Sequence, residues 1–150
     1  MNWVQDPDRC LVEGFVFKIS GSLVFWSLKK QPTVVTSSVE AEYMTSLDAI
    51  KEAMWLRILL SELNYSQVSA TVIHTDNQGC IVLAHNPVNH SRVKHIDIKH
   101  HFIRECMEHG EVVLEYISTK EMLADIFTKQ IPCKAFVKFR QQLGIVSLSH

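Results

Sequence analysis

Apolar and polar positions alternate near the start of the chain and later recur at three and four residues. The chain therefore opens in strands and continues in helices interrupted by short strands. Residues 14–19 (GFVFKI) and 22–28 (SLVFWSL) are rich in aromatic and β-branched side chains. Ser20-Gly21 lies between them, which predicts a hairpin. After the polar break Lys29-Lys30-Gln31-Pro32, Ser37-x-x-Glu40 has the spacing of a capping box. Tyr43, Met44, Leu47, Ile50, Met54, Ile58 and Leu59 then recur with helical period, predicting a long amphipathic helix to about Leu63. Thr71–Thr75 reads as a buried strand ending at Asp76. A short helix, about Gln78 to His85, follows and stops at Asn86-Pro87, because the residue before a proline avoids helix. Beyond a polar, basic loop over 88–96, a helix from about Asp97 to His109 carries Phe102, Ile103, Cys106 and Met107 on its apolar side. Gly110 suits the position just past its end. Glu111–Ile117 is a strand. Ser118-x-x-Glu121 is a second capping box, predicted to open a helix through about Lys129. A last helix, about Lys134 to Leu143, carries Phe136 and Phe139 and stops at Gly144.

The order β-β-α-β-α-α-β-α-α predicts an α/β chain with a mixed sheet flanked by helices. A two-stranded hairpin is marginal alone, so a further strand is expected to pair at one of its edges. The length, 150 residues, suits a single domain over 1–150, with a core at about 12–130 and a C-terminal helix at about 134–143. With 47% hydrophobic and 21% charged residues, the composition is that of a globular domain. No apolar run reaches the ~18 residues of a membrane span, so no membrane partner is expected. A net charge of -1 excludes a uniformly basic nucleic-acid binder; any grip on nucleic acid would need a local patch or neighbouring domains. Cys10, Cys80, Cys106 and Cys133 are widely spaced with no C-x-x-C pair, which reads as thiols in a reducing compartment.

Among the 16 acidic residues, three stand out by position. Acids in the first turn of a helix favour its dipole, and the cap accounts for Glu40. Glu42 is not needed for the cap and flanks the apolar stripe that begins at Tyr43. Asp76 ends a strand and precedes a helix. It reads either as an N-cap or as a ligand-binding residue outside the carboxyl end of a strand, and both readings stay open. Asp125 falls in the middle of the predicted helix after Ser118, where Asp is a poor helix former; Met122, Leu123, Ile126 and Phe127 form that helix's expected buried side. Carboxylates from three elements converging at one sheet edge would repel one another without a cation. Hard ions such as Mg²⁺ favour such oxygen ligands.

S-S-V-E-A-E-Y-M (37–44), T-D-N-Q (75–78), N-P-V-N-H-S-R-V-K-H-I-D-I (86–98), H-F-I-R-E (101–105) and L-A-D-I-F-T-K (123–129) occur in the order seen in copia-type LTR retrotransposon Pol polyproteins. The chain resembles their ribonuclease H domain, and F-W-S-L-K-K-Q-P-T-V (25–34) resembles its counterpart there. The resemblance implies a ribonuclease H-like fold with a mixed five-stranded sheet. It implies hydrolysis of the RNA strand of RNA–DNA hybrids with two Mg²⁺ (or Mn²⁺) ions. Glu42, Asp76 and Asp125 match three of the family's four catalytic, metal-binding acids. The first has no counterpart: Trp3 matches the family's Trp, Asn2 falls on the Asp just before it, and the catalytic Asp would lie upstream of Met1. The first β-strand is expected to be missing with it. The resemblance further implies the rest of the polyprotein, especially reverse transcriptase, as partner, and an intracellular, cytoplasmic setting in a virus-like particle. Two readings follow: a ribonuclease H lacking one acid, or a non-catalytic remnant of a transposon polyprotein that at most binds nucleic acid.

Five of the eight histidines fall between His85 and His101, without the helical His pair and ligand set of a zinc site. Arg92, Lys94 and Lys99 make a modest basic patch there, read either as contacts to hybrid phosphates or as a solvated surface. Trp26 and Trp55 lie within apolar stretches and are expected in the core.

Overall fold

The computed structural model describes residues 12–30, 38–86 and 94–148. It is a mixed α/β chain in which residues up to Ala41, together with Leu123 onward, cluster into one unit and Glu42–Met122 into another. The described strands form two separate two-stranded sheets, one antiparallel and one parallel, in place of the single mixed sheet expected. Asn2, Trp3, Cys10 and the serine of the Ser37–Glu40 cap lie outside the described residues, as does the stretch ahead of the hairpin to which the expectation of a missing first strand refers.

In the first unit, β1 (Val12–Ile19) and β2 (Ser22–Lys30) pair antiparallel. Ser20 and Gly21 both have positive φ, at 51° and 82°, as a two-residue hairpin turn that follows the strand twist requires. Phe15 packs against Phe17 and Phe25 at ring-centroid distances of 5.9 and 6.1 Å. Val24, Trp26 and Leu28 alternate along β2 on its exposed side. Trp26 is 56% exposed, so its placement in the core is corrected: period two groups these residues on one face without saying which face is covered.

The hairpin is supported by α4 (Asp125–Thr128) and α5 (Cys133–Gln142). The Leu23 amide donates to the Leu143 carbonyl at 3.0 Å, and Phe139 and Leu143 are buried. Gly144, at φ 73°, closes α5: its amide and that of Ile145 bond back to Gln141 and Arg140.

In the second unit, β3 (Thr71–Thr75) and β4 (Val112–Tyr116) run parallel, linked through α2 (Gln78–His85) and α3 (Lys94–Glu108). Long crossovers of this kind are what parallel strands require. The core comes from Tyr43, Leu47 and Ile50 of α1 (Ser38–Glu62), Cys80 and Ala84 of α2, Ile103 and Cys106 of α3, and Val112 and Leu114 of β4. On α1, Lys51, Trp55 and Ile58 fall on an outward stripe at helical spacing, so Trp55 and Ile58 are exposed and not core. β3 is half-buried, not buried: its burial alternates, with Val72 and His74 exposed and Thr75 inside. The helix expected from Asp97 begins three residues earlier, since no Gly or Pro interrupts Lys94–Ile96.

Two chain reversals set the edges of this unit. α3 ends on Gly110 at φ 69°, with the Glu111 amide bonded to Cys106 and that of Gly110 to Met107. α1 ends on Asn64 at φ 65°, one of the few residues besides Gly that tolerate this conformation. The connection from there to β3 is held by Arg57, whose guanidinium donates to the Gln67 and Ser69 carbonyls at 2.9 and 2.8 Å and to the Thr71 hydroxyl at 3.0 Å.

None of the described cysteines is in a disulfide: Cys80 and Cys106 are buried and Cys133 is exposed. Burial, and then the charges of Glu111 and Glu105, hold the Cys106 thiol above its ordinary pKa, which keeps it protonated and unreactive. No described helix is long and apolar enough to cross a membrane.

Candidate active site

Asp76 follows the last residue of β3. Beside it the ladder is extended by the Ile117 amide, which donates to the Thr75 carbonyl at 2.9 Å. The carboxylate thus stands beyond the carboxyl ends of two parallel strands, where open α/β sheets gather ligands. Of the two readings of Asp76, the N-cap falls away. Asn77 caps α2, its side-chain oxygen accepting from the Cys80 amide at 3.2 Å. Asn77 is itself held by its amide on the Thr75 hydroxyl, at 3.2 Å. Asp76 is left half-buried with one oxygen, Oδ2, accepting from the Thr119 hydroxyl at 3.0 Å. Thr119 is the functional neighbour that sequence reading missed. It lies 43 residues away, and only the parallel pairing of β3 with β4 brings it in.

Thr119 is positioned by a departure from the expected helix. Ser118 accepts from the Lys120 amide, two residues on, and not from the third helical amide as in a capping box. The chain tightens into one 3₁₀ turn, Thr119–Glu121, and breaks at Met122, which is extended. α4 starts afresh at Asp125. Asp125 is therefore the first residue of a four-residue helix, not a mid-helix residue. It is itself buried (7% exposed), whereas Met122, Leu123, Ile126 and Phe127 are only half-buried. Lys129, one turn on, places its ammonium 3.1 Å from the carboxylate and compensates the buried charge.

Glu42 is half-buried on α1 and is engaged by other groups. Its neighbour Tyr43 is buried and its hydroxyl bonds His100 Nδ1. Burial, and then the nearby Cys80, push that hydroxyl well above its ordinary pKa, so it remains a donor. His100 is buried; it falls in the helix expected from Asp97, within the histidine-rich stretch for which no role beyond a basic patch was expected.

Of the basic patch, Arg92 and the Lys94 side chain lie outside the described residues. Lys99 is half-buried, with Nζ 3.6 Å from Met44 Sδ. The donor chemistry of Glu42, Asp76 and Asp125 suits a hard cation. Two of the three, Glu42 and Asp76, belong to the same unit. Among the described residues, no group of three His, Cys, Asp or Glu side chains lies close enough to hold a metal.

The chain is 36% identical to the retrovirus-related Pol polyprotein from transposon RE2 of Arabidopsis thaliana, over 98% of its own length and 10% of that protein. It is 38% identical to the Pol polyprotein from transposon RE1 of the same plant, over 96% of its length and 10% of that protein. Against the Pol polyprotein from transposon TNT 1-94 of Nicotiana tabacum it is 37% identical, over 89% of its length and again 10% of the relative. The chain thus spans about a tenth of the length of the curated relatives it matches. No family model matches it, and no solved structure does.

Proposed function

We propose, from a chain that is homologous to one segment of copia-type, retrovirus-related Pol polyproteins of transposons, that this segment is their ribonuclease H: a ribonuclease H-like fold acting on the RNA strand of RNA–DNA hybrids. The observation that carries the reading is Asp76. It stands beyond the carboxyl ends of the parallel strands, is relieved of capping by Asn77, and is oriented by Thr119. Glu42 and Asp125 correspond to two more of the four acids that such enzymes use. Carboxylates of this kind would hold Mg²⁺ or Mn²⁺, which when bound stabilises the charge on the phosphodiester and lowers the pKa of the attacking water. The Thr119 hydroxyl orients the Asp76 carboxylate, and the Lys129 ammonium lies against Asp125 at its buried position. The working setting is a cytoplasmic particle containing the rest of the polyprotein, with reverse transcriptase supplying much of the hold on the hybrid.

The test is cleavage of an end-labelled RNA strand in a hybrid by the purified chain. Product is expected with Mg²⁺ or Mn²⁺ and none with chelator or with duplex DNA. A second reading is a non-catalytic remnant that keeps hybrid binding, favoured by the lack of a three-donor cluster among the described residues. Folded protein that binds hybrid with no cleavage in either metal would establish the second reading over the first.

The basic patch of Arg92, Lys94 and Lys99 is assigned to backbone phosphates. Lys99→Ala is expected to weaken hybrid binding several-fold and to lower the salt dependence of binding by about one unit of slope. The measurement is fluorescence anisotropy over a series of salt concentrations. An unchanged slope would remove Lys99 from the interface.

A further inference from the structure

Two polar contacts tie together the elements that carry Glu42 and Asp76. Ser46 lies one helical turn beyond Glu42 on the same side of α1, and its hydroxyl is 3.4 Å from Cys80 Sγ. Cys80 is the residue whose amide Asn77 caps, directly after Asp76. This first contact therefore joins α1 to the opening turn of α2.

The second contact runs through His100. Its Nε2 lies 3.2 Å from the carbonyl of Asn86, the residue that ends α2. A carbonyl only accepts, so the ring proton is on Nε2. Nδ1 is then a bare acceptor, and it accepts a hydrogen bond from the Tyr43 hydroxyl. One buried imidazole on α3 thus links the residue next to Glu42 with the far end of the helix that begins after Asp76. With Ser46–Cys80 at one end and Tyr43–His100–Asn86 at the other, α1 and α2 are pinned at two points. Two pins suppress both rotation of α1 about its axis and its sliding along α2. Rotation would swing Glu42, because neighbouring residues on a helix turn together.

We propose that His100 is a positioning residue, acting through Tyr43 and Asn86 to fix the placement of Glu42 relative to Asp76. The consequence for the cation rests on the ribonuclease H reading.

The test uses the full chain and Mn²⁺ alone, with free ion followed by its paramagnetic resonance signal. Tyr43→Phe deletes one hydroxyl and keeps the ring. His100→Leu deletes both bonds. His100→Asn offers an amide oxygen at the Nδ1 position and keeps the bond from Tyr43. Tyr43→Phe and His100→Leu are each expected to weaken Mn²⁺ binding by about tenfold, the low end of what outer-layer ligand support contributes. His100→Asn is expected to recover part of that loss, and to recover none of it when combined with Tyr43→Phe, which is the non-additivity of a direct pair. If His100→Leu does not fold, Tyr43→Phe and the Asn pair carry the test. Mn²⁺ affinity within twofold of wild type in Tyr43→Phe, with Asp76→Asn still abolishing binding, would overturn the positioning role and leave the function reading standing. So would an affinity that tracks melting temperature in every variant with no recovery by His100→Asn. No Asp76-dependent Mn²⁺ binding in the wild type would overturn the function reading, and the positioning role with it.

Discussion

Asp76→Asn is expected to lower divalent-dependent cleavage of an RNA–DNA hybrid by about 100-fold or more, since even the supports of a metal ligand are each worth about 10- to 100-fold. The structure makes this a clean substitution. Asn has the shape of Asp, and its amide oxygen still accepts from Thr119 as Oδ2 does now. The cap of α2 belongs to Asn77 and is untouched. Stability should therefore move by no more than about 0.5 kcal/mol, as for a substitution that breaks no buried contact. Loss of cleavage with an unchanged melting temperature assigns Asp76 to the chemistry. Equal rates in the two proteins would take it out of the site.

Gly14→Ala is expected to cost about 1–3 kcal/mol of stability, the range for overpacking a filled site. A Cβ on Gly14 would fall 2.6 Å from the Ser27 carbonyl oxygen, 2.8 Å from Leu28 Cδ2 and 3.3 Å from Thr128 Cγ2. Leu28 can turn away. The Ser27 carbonyl is part of the facing strand's main chain, so the strands must shift. Thr128 is the last residue of α4, so the shift reaches the short helix that begins with Asp125. The expected signature in urea is a lower midpoint with an unchanged slope. A midpoint equal to wild type would show that the hairpin yields without cost. Together the two variants separate chemistry from scaffold: one removes a charge in place, the other moves a wall.

Much of the fold was legible because its elements follow strong local rules. The hairpin, α1, α2, α5 and the two later strands lie within a few residues of where alternation, helical spacing and Gly or Asn terminators put them. What failed depended on partners distant in sequence. Period alone placed Trp26 and Trp55 in apolar runs, but not on the covered side. Ser118 had the spacing of a capping box, yet its hydroxyl took a nearer amide, and a predicted continuous helix became a 3₁₀ turn, a break and α4. For Asp125 the outcome is mixed. The residue was singled out because a mid-helix Asp is unfavourable, and that reason does not hold at the first position of α4. Its burial and its Lys129 partner supply a different one. For Asp76 the sequence left the cap and the ligand role open, and the adjacent Asn77 resolved it. Thr119 and His100 had no local signature, since each acts on a residue more than 40 positions away.

Arg57 holds the turn between α1 and β3 mainly by main-chain oxygens, those of Gln67 and Ser69. Every residue has such an oxygen, so the clasp is indifferent to which side chains the turn displays. Tyr65 and Val68 project into solvent there and are open to drift. An insertion or deletion would carry the oxygens out of reach of a planar, fixed fork of donors. Replacing Tyr65 or Val68 should therefore cost this turn less than changing its length.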